Sequence, residues 1–203
     1  VLLWRPLHEA SGGWFWWGAH GADDYIRLYR LLYEQLTYVH GINNLIWVWN
    51  GQDPLWYPGD DVVDIISDDI YPAQKKYLVH DEEYSRLRAS SALPKLVAMS
   101  ENGTLPDIEN LESKKTYWSW FCTWDHEFCI DSKKQYSSKY TEEKVLQKYY
   151  ENQFEKPNRE NSSYSSINPA LIGIFKRFPF SSKFFFYFPI IIIIKINFTS
   201  NSF

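Results

Sequence analysis

The run Lys95-Leu96-Val97-Ala98-Met99-Ser100-Glu101-Asn102-Gly103 is short, largely apolar, and ends on an acid followed closely by a glycine. An uninterrupted apolar stretch of this length fits a strand covered on both faces, as in a parallel sheet. The same grammar recurs in Asn44 to Asn50 and in Val62 to Tyr71, each running into a polar or aromatic residue and then Gly or Pro. Thr116 to Thr123 makes a fourth run without the stop, and Val1 to Glu9 opens the chain as a fifth. Helical patterns lie between them. Asp23 to Tyr38 sets Tyr25, Leu28, Leu32 and Leu36 on one stripe, and Asp81 to Ala92 is charged and free of glycine. Thr141 to Phe154 reads as a last helix, with Thr141 as N-cap and Glu142 and Glu143 in the first turn, where the helix dipole favours acids. Strand and helix therefore alternate, which predicts an α/β fold with a parallel sheet. Five units without a Gly-rich phosphate loop point to part of a (β/α)8 TIM barrel, the alternative being an open doubly wound sheet.

Composition narrows the partners. The 21 basic and 25 acidic residues are interspersed and leave a net charge of -4, so no polyanion-binding surface, and hence no nucleic acid, is expected. Aromatic residues reach 19%, with 10 Trp, many of them beside Gly, Asn, Asp or Pro. That distribution suits either a surface that stacks on flat ligands such as sugar rings or a Trp-rich core. The two cysteines, Cys122 and Cys129, are too few for a disulfide framework and lack zinc-site spacing. The sequence leaves open whether they pair or stay as free thiols.

The organisation expected is a partial barrel over residues 1–157 and a low-complexity tail over 158–203, disordered or non-native. Beyond Asn161 no acidic residue occurs, and the chain runs through Phe184 to Phe186 and Ile190 to Ile194, a composition that read-through of AT-rich sequence would produce. The tail is not expected to enter a membrane, because Phe184 to Ile194 is broken by Pro189, stopped by Lys195 and falls short of the ~20 apolar residues that span a bilayer. The chain opens at Val1 inside an apolar run and has Met99 as its only methionine, so it is read as a fragment without its N-terminal part or any signal peptide.

In a parallel α/β barrel the reactive groups stand at the C-terminal ends of strands. Acids occupy that position at Glu9, Asp69 and Glu101. A single glutamate after a strand is usually solvated or a helix N-terminal charge. Two at matching strand ends, each with glycine close behind, form a candidate pair for glycoside hydrolysis, which needs two carboxyl groups flanking the scissile bond.

The string Trp4-Arg5-Pro6-Leu7-His8-Glu9, followed by Gly12-Gly13-Trp14-Phe15-Trp16-Trp17, resembles the acid/base strand of glycoside hydrolase family 26, best known for endo-β-1,4-mannanases. Further matches in order are Leu45-Ile46-Trp47-Val48-Trp49-Asn50, Tyr57-Pro58-Gly59-Asp60, Asp69-Ile70-Tyr71-Pro72, Ser100-Glu101-Asn102-Gly103 and Trp118-Ser119-Trp120-Phe121-Cys122-Thr123-Trp124, so the likeness runs from Val1 to about Phe154. It implies an incomplete barrel covering strands four to eight, with strands one to three absent. It also implies a secreted, retaining enzyme that hydrolyses mannan, glucomannan or galactomannan, with Glu9 as acid/base on strand four and Glu101 as nucleophile on strand seven. Five further residues would serve the substrate site: His8 tuning or positioning the acid/base, Trp14 lining the cleavage subsite, Asp69 holding the site, Tyr71 bonding the nucleophile, and Trp124 as an aromatic platform. The resemblance calls for no metal or cofactor, and the partner is a β-mannan. The two carboxyls should stand ~5 to 5.5 Å apart.

Each role has a plainer counterpart. His8 would be a satisfied core histidine, Tyr71 a strand cap and Asp69 a loop anchor. Trp118 and Trp120 read as packing residues, and His20, His40, His80 and His126 show no metal spacing. Asn102-Gly103-Thr104 matches a glycosylation acceptor but is read as unmodified, since a glycan there would block the cleft. Activity on β-1,3/1,4-glucan or xylan, or an inactive carbohydrate-binding remnant, are the alternative functions.

Overall fold

The computed structural model describes residues 1–154 together with Ile192–Ile193. Its elements in chain order are β1 (Leu2–Trp4), α1 (Ala22–Glu34), β2 (Leu45–Trp49), β3 (Ile65–Ile70), α2 (Asp81–Arg88), β4 (Leu96–Asn102), α3 (Ile108–Ser113), β5 (Phe121–Thr123), α4 (Glu143–Phe154) and β6 (Ile192–Ile193). Strands β1 to β5 pair in sequence order and all in parallel, with helices on the sheet, as in a partial (β/α) barrel. The sheet is curled. Three strand spacings of about 4.8 Å each would place β1 and β4 beyond the span of one side chain in a flat sheet, yet Arg5 after β1 bonds Asp69 on β3 and Glu101 on β4.

Alternation along the strands divides the core in two. Trp47, Trp49, Ile66, Val97 and Met99 face outward and are buried with Tyr25 and Tyr29 of α1, Leu87 of α2 and Tyr149 of α4. Val48, Ile65 and Ala98 face inward and pack with Ile46, Leu96 and Trp120. The two tryptophans left out of the site are thus packing residues on different layers, Trp118 lying with the outer cluster, where its Nε1 donates to the Val79 carbonyl at 3.0 Å.

Several expectations are adjusted. On α1 the stripe against the core is Tyr25 and Tyr29, both buried, with Leu32 partly buried, and it is carried on by Leu36 in the turn Gln35–Val39; the expected Leu28 lies off the cluster. The run at Thr116 shortens to a strand at Phe121–Thr123. Thr141 is no cap: its hydroxyl accepts the Leu105 N–H at 3.1 Å, while the Glu142 carbonyl receives the first helical N–H groups. A short helix, α3, was not anticipated; its N-cap is Asp107, whose carboxylate accepts the Glu109 N–H. The boundary expected at Pro157 and the tail beyond it lie outside the described residues, except that Ile192–Ile193 pairs antiparallel with β5, occupying an edge that would otherwise present unpaired backbone groups.

Candidate active site

The C-terminal ends of β1 to β4 carry a polar cluster where the inward face turns from Val48, Ile65 and Ala98 to Asn50, Ser67, Asp69 and Glu101. Simple alternation from Ala98 would turn Glu101 outward. A bulge prevents this: Asp68 pairs with Met99 but Asp69 with Glu101, so Ser100 is the extra residue that brings Glu101 back to the inner face.

Arg5 is the hub. Its Nη1 donates to Asp69 Oδ2 at 2.8 Å, and its Nη2 bonds Glu101. Burial works against the guanidinium charge, but Asp69 and Glu101 outweigh it and raise the Arg5 pKa. On the other Glu101 oxygen, the Tyr71 hydroxyl donates at 2.6 Å. Asp69, with its side chain fully buried, also accepts Asn50 Nδ2 at 2.8 Å. Burial pushes the Asp69 carboxyl well above its ordinary range against the pull of Arg5.

Glu9 arrives differently. It sits past the end of β1 in the left-handed region (φ 52°), as does Leu7 (φ 53°) two residues earlier. For residues with a Cβ such conformations cost about 1 kcal/mol or more each and persist only where neighbours hold them. Here the Glu9 N–H donates to the Asn50 carbonyl at 2.7 Å and to Asn50 Oδ1 at 3.2 Å. Its carboxylate accepts the Trp14 indole N–H at 3.0 Å. Gly12 is required for this arrangement, since a Cβ there would stand 2.0 Å from the Trp14 ring. Burial and the charge of Glu101 push the Glu9 carboxyl upward, opposed by the Trp14 hydrogen bond and by Arg5. One carboxylate oxygen from each of Glu9, Asp69 and Glu101 lies within 4.8 Å of the others. Such a trio could hold a cation, and Arg5 supplies the positive charge between Asp69 and Glu101.

Among the remaining expected residues, His8 packs its ring against Phe15 and Trp17, at 4.8 and 5.8 Å between centroids, and its carbonyl accepts the Trp17 indole N–H. Burial and the Arg5 charge lower its pKa, so the imidazole is neutral near pH 7. Trp14 is 62% exposed, leaving a ring face open for stacking. Trp124 is half-buried after β5, its backbone N–H donating to the Asn102 carbonyl; among the described residues no side-chain bond ties it to the carboxylates. Asn102 itself is fully buried and donates to Thr123, leaving no room for a glycan. Cys122 and Cys129 are both free thiols; burial pushes Cys122 up to about 11.

A cleft of about 900 Å³ begins at Asp69 and Tyr71 and extends over Pro72 to Lys76, His80 and Arg86. Neither Glu9 nor Glu101 lines it; it is joined to the carboxylate cluster by Asp69, which accepts from Arg5, and by Tyr71, which donates to Glu101. Sequence reasoning left Arg5 and Asn50 out of the site. Asn50 carried a signal, standing at a strand end as Glu9 and Glu101 do, but as a neutral amide it did not register among the acids.

Comparison with known proteins places this geometry in a family. The profile described as glycosyl hydrolase family 26 matches residues 1–154. A mannan endo-1,4-beta-mannosidase of Thermothelomyces thermophilus is 48% identical over 127 residues, 63% of this chain and 26% of that protein. A β-mannanase from a symbiotic protist of the termite Reticulitermes speratus, solved with a gluco-manno-oligosaccharide, superimposes with a TM-score of 0.62 at 35% identity, covering 73% of this chain and 44% of that one. The Podospora anserina GH26-CBM35 β-(1,4)-mannanase gives 0.57 at 45% identity, over 62% of this chain and 28% of that one. The chain spans about a quarter of the length of the curated mannosidase it matches.

Proposed function

Because the chain belongs to glycosyl hydrolase family 26, we propose that it carries the reactive centre of a retaining endo-β-1,4-mannanase, with Glu9 as acid/base and Glu101 as nucleophile. The observation that supports this best is the approach of the two carboxylates, from the C-terminal ends of β1 and β4, to within 4.8 Å. Retaining enzymes hold their carboxyls ~5 to 5.5 Å apart, whereas inverting ones leave ~6.5 to 9.5 Å for a water. In this reading β1 to β5 are strands four to eight of the barrel.

The environments suit the two roles. Arg5 and the Tyr71 hydroxyl donate to different oxygens of Glu101 and hold its carboxylate in place for attack on the anomeric carbon. Glu9 is pushed toward its protonated form by burial and by the Glu101 charge, so it can protonate the departing oxygen. Once Glu101 is esterified in the glycosyl-enzyme its charge is gone. The Glu9 pKa then falls, and the ionised carboxylate takes a proton from the water that releases product with retained configuration. Trp14, with its exposed face beside Glu9, stacks on the sugar at the point of cleavage, and Trp124 forms a platform further along. His8, neutral and packed on Phe15, helps hold the loop that presents Glu9.

The substrate follows the relatives, which are named for mannan hydrolysis, one of them solved with a gluco-manno-oligosaccharide. A polymeric substrate also argues for action outside the cell. Parallel assays on glucomannan, galactomannan, mixed-linkage glucan and xylan test the reading, with NMR of the first-formed reducing end. Cleavage of the mannans with the β-anomer appearing first is expected. Preferential cleavage of xylan, or an α-anomer first, would contradict it.

A further inference from the structure

We infer that Asn50 is a positioning residue that sets the separation of the Glu9 and Glu101 carboxylates; the inference rests on the hydrolase reading above. Asn50 follows β2 and is fully buried, with its backbone carbonyl and both side-chain polar atoms engaged. Its carbonyl and Oδ1 accept the Glu9 N–H at 2.7 and 3.2 Å. Its Nδ2 donates to Asp69 Oδ1 at 2.8 Å and to Ser67 Oγ at 3.3 Å. The other Asp69 oxygen takes Arg5 Nη1 at 2.8 Å, and Arg5 Nη2 holds Glu101. One neutral side chain therefore joins the backbone under the acid/base to the carboxylate that, through Arg5, anchors the nucleophile. Asn50 bonds neither reacting carboxylate, so it acts only through others.

The amide suits this place because one rigid plane must offer an acceptor on one side and donors on the other. A carboxylate would set a second negative charge against Asp69. A leucine of similar size would leave the buried Asp69 oxygen with one donor fewer, at the cost attached to an unsatisfied buried acceptor. Two consequences follow. The left-handed Glu9 backbone loses part of its hold, and Asp69, no longer shared with the amide, draws Arg5 away from Glu101.

The test measures kcat, KM and the pH dependence of kcat/KM on a manno-oligosaccharide for Asn50→Leu and Asn50→Asp in the full chain, with melting followed alongside. A misplacement near 1 Å costs about 10²-fold, so kcat is expected to fall about 10²-fold while KM stays within about twofold. The alkaline limb of the profile should move to lower pH, because a Glu9 carboxyl set further from Glu101 loses part of the charge that pushes it upward. A residue that merely supported the fold would lower melting without moving that limb. Should Asn50→Leu fail to fold, Asn50→Asp, which keeps the shape and the acceptor toward Glu9, decides the question. Either folded variant with the parent kcat and an unmoved alkaline limb overturns the inference. An active Glu101→Ala chain, or an inactive parent chain, overturns the hydrolase reading and this inference with it; an inactive Glu101→Ala beside an unaffected Asn50→Leu overturns this inference alone.

Discussion

The two faces of the same strands do opposite work. On the outer face Trp47, Trp49, Ile66, Val97 and Met99 are buried against helices and bring apolar area out of water, at about 25 cal/mol per Å². At the C-terminal end of the inner face Asn50, Ser67, Asp69 and Glu101 are buried just as deeply, but as polar or charged groups. Burying charge costs free energy unless it is paired and hydrogen-bonded, and here the pairing is completed by Arg5, Tyr71 and Asn50. The comparison teaches that the outer layer stabilises the sheet enough to keep a costly, preorganised cluster at its rim, one residue away along each strand.

That division can be broken from either side. The largest effect is expected from Glu101→Ala, which should lower hydrolysis by about 10⁴-fold, some 5 kcal/mol of transition-state stabilisation, while leaving melting nearly unchanged. Comparable rates in parent and variant would remove the inner cluster from the chemistry. On the outer face, Trp49→Ala should cost about 3 to 5 kcal/mol of stability, read by urea or thermal unfolding, without moving the pH profile of any surviving activity. A shifted profile would mean the two faces are not separable.

Trp14→Ala removes an exposed stacking surface and the indole donor to Glu9. It is expected to weaken oligosaccharide binding by about 1 to 2 kcal/mol, visible by calorimetric titration, and to raise the Glu9 pKa, because the lost hydrogen bond favours the ionised form. Unchanged binding would assign Trp14 to the loop alone. The smallest effect concerns Asp68, which faces Arg86 on the outer side of β3. Burial pushes its carboxyl up to about 7, from an ordinary value of 3.8. Between those values the folded chain holds a proton that the unfolded chain has released, so Asp68 makes stability fall as pH rises. Asp68→Asn should flatten that fall, so that the variant gains melting temperature on the parent between pH 4 and pH 8. A melting difference independent of pH would show that Asp68 titrates normally.

Much of this was legible from residue order alone. Apolar runs located β1 to β4, the acids following three of them put Glu9, Asp69 and Glu101 at strand ends, and family motifs directed attention to His8, Trp14 and Tyr71. What escaped depends on contacts across the sheet. Arg5 stands 64 and 96 residues from its two partners, and nothing local to Trp4-Arg5-Pro6 reveals which carboxylates it meets. The bulge at Ser100 is invisible in an apolar run, although without it Glu101 would face the helices. Thr141 looked like a cap because capping and tertiary hydrogen bonding use the same hydroxyl; Leu105 claims it.

The central claim is that Glu101 forms a covalent bond to the sugar while Glu9 stands opposite. Incubating the full chain with a 2-deoxy-2-fluoro mannosyl fluoride, which slows the second step, and mapping the label by peptide mass spectrometry tests it directly. A single glycosyl adduct on the peptide carrying Glu101, absent from Glu101→Ala, is the predicted result. An adduct on Glu9 or Asp69, or efficient mannan hydrolysis without any adduct and with inverted product, would contradict it.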